Sequence, residues 1–136
     1  MMKTNRTARE RLLEHVKQVK GELLRPARGI LRRPYLSAGL GDTYPDLTDW
    51  DAVWAGMAYL RLGDPAPLRD SLLNLIEHMA PDGKGQRRVG FERYSAPPYQ
   101  CRPFLMSGCR ALAREIGTDW LGVRELEMLH RHLLYW

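Results

Sequence analysis

Between positions 44 and 54 the chain reads "YPDLTDWDAVW", which sets Asp46, Asp49 and Asp51 among Tyr44, Trp50 and Trp54. Carboxylates accept hydrogen bonds and aromatic faces cover flat apolar surface, so the two together are what the wall of a binding site offers a ligand. A structural reading stands beside that one. Trp50, Val53, Trp54, Met57 and Leu60 recur at helical spacing, as core residues do. "TDWD" also has the form of a capping box, with Thr48 at the cap and Asp51 reaching back to its amide.

Other reactive residues point to less. His130 and His132 stand two apart, and side chains at i and i+2 of a helix diverge, so with His78 they predict no metal site. "GKGQRR" at 83–88 lacks the spacing of a phosphate-binding loop and predicts a surface turn. Cys101 and Cys109 are eight positions apart. On one helix that separates them by about 12 Å along the axis, too far for a disulfide. Both read as free thiols, Cys109 as a buried one, and neither carries a nucleophile signature. No cofactor is expected.

The elements that must position these residues are helical. Thr7 caps a helix over about 8–24, with Leu12, Leu13, Val16, Val19, Leu23 and Leu24 as its apolar stripe; Pro26 and Gly29 end it. A short extended segment is predicted near 30–37, followed by a loop. Thr48 opens the next helix and Gly63 closes it; Asp64 and Pro65 start another at once, which ends at "APDG". So short a junction makes the two an antiparallel hairpin, spanning about 48–80. A fourth helix from near Arg102 and Pro103 turns Leu105, Cys109, Leu112 and Ile116 inward. Gly117 ends it, Thr118 caps, and a fifth helix from Asp119 buries Leu121, Leu126, Leu129, Leu133 and Trp136. This second hairpin, about 102–136, repeats the first at a period of about 55 residues, from Trp50 to Leu105.

The 136 residues fit a single folded unit, with a basic N-terminal helix over 1–29 and the two hairpins over 30–136. A hydrophobic share of 44% against 27% charged is globular rather than disordered. No apolar run approaches the roughly 20 residues of a membrane span, and the N-terminus has no secretory leader, so a cytoplasmic location is expected. The net charge of +5 gathers toward the front, at Lys3, Arg6, Arg9, Arg11 and onward to Arg33. Glu10, Glu14 and Glu22 intersperse it, which favours a solvated helix face over a nucleic-acid contact. The end, "RHLLYW", is apolar and uncapped, which reads as an interrupted chain.

Taken in order, "RRPYL", "GDTYPDLTDWDAVWAGMAYLRLGD", "HMAPDGKGQR" and "QCRPFLMSGCRALAREIGTDWL" through "LHRHLLYW" resemble the six-hairpin glycoside hydrolases. The resemblance runs over 30–136 and is nearest to the trehalase, processing α-glucosidase and mannosylglycerate hydrolase group. It implies an all-α fold, an incomplete arc of an (α/α)6 barrel, and inverting hydrolysis of α-glycosides without a metal. It further implies that Trp50 offers a flat face to a sugar ring and that Asp51 accepts hydrogen bonds from its hydroxyls. Tyr44 and Gln100 fall where the family places further sugar contacts. Inverting hydrolysis needs an acid and a base carboxyl roughly 6.5–9.5 Å apart. In the family both lie downstream of the second hairpin, so no catalytic residue is expected here; Asp49, Asp51 and Glu92 are the nearby acids. "CRPF" opens the inner helix where the family has a double proline, which here lies earlier, at Pro97 and Pro98. The chain thus reads as about the first two-fifths of such an enzyme. The alternative is a non-catalytic helical module whose apolar hairpin flanks are covered by self-association or by a protein partner.

Overall fold

The computed structural model describes residues 7–90 and 104–136. Over these residues the protein is mostly helical, with two small antiparallel sheets. Helix α1 spans Ala8–Leu23, followed by strands β1 (Leu24–Arg25), β2 (Tyr35–Leu36) and β3 (Leu47–Thr48). Helices α2 (Asp49–Arg61) and α3 (Ala66–Glu77), strand β4 (Arg88–Val89), and helices α4 (Phe104–Ile116) and α5 (Val123–Tyr135) complete it. Among the described residues no helix is long and apolar enough to cross a membrane.

Helix α1 starts as its sequence predicts. The Glu10 carboxylate accepts from the Thr7 amide at 2.7 Å, and the Thr7 hydroxyl accepts from the Glu10 amide at 3.3 Å. Its apolar stripe is not buried, however: Leu12 is 62% exposed, and Val16 and Leu23 are the helix residues that reach the core. Lys20 ties the helix down, pairing with Asp64 and lying over the Tyr59 ring at 5.7 Å. Asp64 therefore does not cap α3, whose N-cap is Pro65 and has no side-chain bond.

Strands β1 and β2 pair with Leu24 opposite Leu36, so the predicted extended segment narrows to Tyr35–Leu36. This ribbon is fastened to α3 by two buried polar side chains. Ser71 accepts from the Leu36 amide at 3.0 Å while its hydroxyl donates to the Pro67 carbonyl at 2.8 Å. Asn74 accepts from the Arg33 amide and donates to the Arg33 carbonyl. Both side chains are fully buried, where an unmatched polar group would be costly.

The predicted capping box at Thr48 is absent. Thr48 belongs to β3 and pairs with Arg88 of β4, and the Asp49 amide donates to the Arg87 carbonyl at 3.0 Å. Thr48 makes no side-chain cap bond; strand pairing with a residue 40 positions on holds it instead.

Helices α2 and α3 form the predicted antiparallel hairpin. Gly63, at φ +82°, ends α2 where a residue with a Cβ would be strained. Gly56 lets the helices approach until Leu68 fills the space that a Cβ would occupy. Beside them α4 buries Leu105, Cys109 and Leu112, but Ile116, expected inward, is 41% exposed. Helix α4 runs parallel to α2. Trp50 meets Phe104 and Arg61 meets Glu115, both pairs 54 positions apart, and Gly108 sits against Val53 and Leu72. The repeat period read from the sequence thus becomes a side-by-side register in space.

Helix α5 differs most from expectation. After Gly117 (φ +77°) the Leu121 amide closes a turn on the Thr118 carbonyl, and the helix begins at Val123, with the Gly122 amide donating to the Glu125 carboxylate at 3.0 Å. Thr118 is therefore not the cap. The helix packs on α3 and the 80–84 turn through Leu129 and His132, while Leu126, Leu133 and Trp136 of the predicted stripe are 50%, 55% and 64% exposed. Leu121 is half-buried. Position along the chain, set by the docking of one turn, rotates the helix so that a different side faces inward. The "GKGQRR" segment is likewise no surface turn at its start. Gly83 is buried under α5, with its carbonyl accepting from His132 Nδ1 at 2.8 Å and the Pro81 carbonyl accepting from Arg131 at 2.9 Å.

Candidate functional site

The β3–β4 pair fixes the first turn of α2 and with it the orientation of four side chains. Asp49 turns into the protein and is fully buried, Asp51 is half-buried, and Trp50 and Trp54 are 42% and 53% exposed. Trp50 and Trp54 stand one helical turn apart and so share a face. Both meet Phe104, the first residue of α4: Trp50 edge-on at 5.4 Å and 63°, Trp54 tilted at 5.9 Å and 52°. Separations of 4.5–7 Å with inclined planes are the favoured arrangement of aromatic pairs.

The cluster corrects one expectation and adds a residue. Trp54, whose helical spacing reads as that of a core residue, is instead the more exposed of the two indoles; the buried side of α2 is made by Ala52, Val53, Gly56, Tyr59 and Leu60. Phe104 was not among the predicted site residues. Its signal was the repeat period, which brings position 104 opposite Trp50.

Tyr44 is 59% exposed on the loop before β3, with its ring against Gly39. That loop is tied at several points: the Tyr35 hydroxyl donates to the Pro45 carbonyl at 2.8 Å, Ser37 donates to the Gly39 carbonyl, and Arg88 pairs with Asp46. Tyr44 is thus held by a different element from Trp50 and Asp51. Gln100, with Glu92, Pro97, Pro98, Cys101, Arg102 and Pro103, lies outside the described residues.

Three acids crowd this end of α2, and their surroundings separate them. The Asp46 carboxylate is taken up by Arg88. Asp49 is buried at the helix start, where the dipole favours negative charge. Asp51 is the half-buried member of the three and follows Trp50 in the first turn of α2. The arrangement sets two half-exposed indoles against one phenyl ring, with the Asp51 carboxylate in the same helical turn as Trp50.

The remaining reactive side chains have structural surroundings. Burial pushes the Cys109 thiol up to about 12, so it stays protonated and a poor nucleophile at neutral pH. His78 Nδ1 lies 2.8 Å from the Asn74 carbonyl, and His132 is the clasp on Gly83. Among the described residues no group of three or more His, Cys, Asp and Glu is placed to hold a metal ion. At the far end of the α2–α4 seam, Arg61, Arg110 and Arg114 border an open groove of about 340 Å³.

Comparison of the chain with protein-family models, with curated proteins and with solved structures found no match.

Proposed function

We propose that this chain is part of an inverting α-glycosidase of the (α/α)6-barrel type, carrying a portion of the sugar-binding wall and not the catalytic carboxyls. The observation that carries the reading is the pair of exposed indoles, Trp50 and Trp54, set against half-buried Phe104 in the helical turn that also holds Asp51. Large aromatics half-open to water are unusual as core and useful as a platform for pyranose rings. The parallel α2–α4 pair with α3 returning between them also supports it, since successive inner helices of a hairpin barrel run in one direction. Tyr44 would contribute from the loop before β3, and Gln100 is proposed as a further sugar contact.

Tryptophan fluorescence titration with methyl α-glucoside and trehalose tests this. A saturable change is expected with a Kd of about 1 mM, which corresponds to roughly −4 kcal/mol. Trp50→Ala and Asp51→Asn should each abolish it, and no sugar should be released from trehalose. A spectrum unmoved by either sugar would remove the carbohydrate reading, and turnover would remove the claim that the catalytic pair is absent.

A second reading, a non-catalytic interaction module, draws on the exposed outer side of α5.

A further inference from the structure

The groove at the far end of the α2–α4 seam has a charge pattern that the fold does not need. Its floor is apolar, made by Met57 and Leu60 of α2 and Ala111 of α4. The register that sets Arg61 beside Glu115 also sets Met57 beside Ala111, since both pairs are 54 positions apart. Three exposed arginines stand around this floor: Arg61 on α2, and Arg110 and Arg114 one turn apart on α4. Glu115 is the acid among the lining residues.

Ion pairs elsewhere are tighter. Arg33 meets Glu77 at 3.0 Å, and Arg69 meets Asp70 at 2.9 Å. Arg61 lies 3.9 Å from Glu115 with both side chains largely in water, so that contact contributes little. Arg110 and Arg114 have no acidic partner among the described residues. Like charges four apart on a helix repel and destabilise it slightly. The helix dipole accounts for Arg61 and Arg114, each in the last turn of its helix. It does not account for Arg110, which lies a turn earlier.

We propose that the groove binds a small phosphate monoester, with the organic part on the apolar floor and the phosphoryl group among the three guanidinium groups. A phosphoryl group offers three terminal oxygens and a charge of about −1.5 to −2 at neutral pH. Guanidinium forks match such oxygens with paired hydrogen bonds. Three arginines against one glutamate leave two positive charges, which the two helix ends, at about half a charge each, reduce without cancelling. A carboxylate has two oxygens and one charge, and so uses the site less fully. The volume of about 340 Å³ lies at the small end of ligand pockets and suits a single ring rather than a peptide. The proposal stands apart from the carbohydrate reading, because the groove shares no lining residue with Trp50, Trp54 and Phe104.

Isothermal titration of the full chain with phenyl phosphate is the test. A single-site isotherm is expected with a Kd of about 0.1–1 mM, weakening as salt is raised. Inorganic phosphate and benzoate should each bind about ten-fold more weakly, the first for want of the ring and the second for want of the third oxygen. Arg110→Gln combined with Arg114→Gln should weaken phenyl phosphate by about ten-fold or more. Its thermal melt should stay at or above that of wild type, because the repulsion along α4 is gone. Arg9→Gln, exposed on α1 and outside the groove, should bind as wild type does. No saturable isotherm, binding that survives in the double variant, or an equal loss in Arg9→Gln overturns the proposal. So does inorganic phosphate or benzoate that binds as tightly as phenyl phosphate. A poly-glutamate peptide that displaces phenyl phosphate at a lower concentration overturns it too, and assigns the groove to an acidic protein segment.

Discussion

Gly83 lies so close beneath α5 that a Cβ built on it would stand 2.3 Å from the carbonyl carbon of Arg131 and 2.6 Å from the amide nitrogen of His132. Its φ of +90° is also one that L side chains rarely adopt. Two independent constraints therefore fall on one residue, in a turn whose carbonyls at Pro81 and Gly83 are both engaged by α5. Gly83→Ala should destabilise the protein by roughly 3 kcal/mol, combining left-handed backbone strain with overpacking against backbone that cannot yield. Hydrogen exchange should show α5 losing protection before α2 and α3. Unchanged protection in α5 would mean that the clasp does not hold the helix.

Gly56 and Gly63 separate packing from conformation. A Cβ on Gly56 would meet the Leu68 Cα at 3.0 Å and Cβ at 2.9 Å, whereas one on Gly63 meets nothing within 4 Å. Gly56→Ala should wedge α2 from α3 and cost about 1–3 kcal/mol, less the small gain in helix propensity. Gly63→Ala should cost about 1–2 kcal/mol from its φ alone and leave the near-ultraviolet dichroism of the core unchanged. Equal spectral changes in both variants would contradict this division.

Ser71 holds the Leu36 amide from inside the core. Ser71→Ala leaves that donor unsatisfied and should cost about 1–3 kcal/mol. The exposed Ser107→Ala should stay within about 0.5 kcal/mol of wild type in the same urea titration.

The Cys109 thiol sets a pH dependence. Burial raises it from 9.0 to about 12, so the folded protein keeps a proton that the unfolded chain releases. Its contribution to stability is complete below pH 9 and is lost as pH rises from there toward about 12, by up to about 1.4 kcal/mol per pH unit. Burial raises the phenols of Tyr35 and Tyr59 too, which adds a loss of the same sign at higher pH. Urea midpoints measured between pH 8 and 10 should fall with pH in wild type and less steeply in Cys109→Ala. Parallel slopes would assign the loss to other groups.

Much of this fold is legible in the residues, and the exceptions share a cause. Gly63 and Gly117 mark helix ends because a positive φ is a local property that glycine alone satisfies cheaply, and the Thr7 capping box forms because nothing competes for its amides. "TDWD" has an equally good local pattern and fails, since Thr48 is drawn into a strand pair with Arg88 of β4, 40 positions on. For α5 the composition announces an amphipathic helix, but which side turns inward depends on where the 80–84 turn sits. The polar pair Ser71 and Asn74 is buried because the chain around β2 lies across it, a long-range contact that no local pattern announces. At the candidate site, Trp50 and Asp51 stand out by type, whereas Phe104 acquires meaning only through its distance from Trp50.

The parallel alignment of α2 and α4 has a kinetic corollary. Helices that run the same way cannot be joined by a tight turn, so α3 must carry the chain back before α4 can begin. The α2–α3 hairpin closes a short loop and can form in microseconds, while each α2–α4 contact waits on closure of a loop of about 54 residues. The rings of Trp50, Trp54 and Phe104 should therefore come together late, and fluorescence from that cluster would report the last step of folding rather than the first.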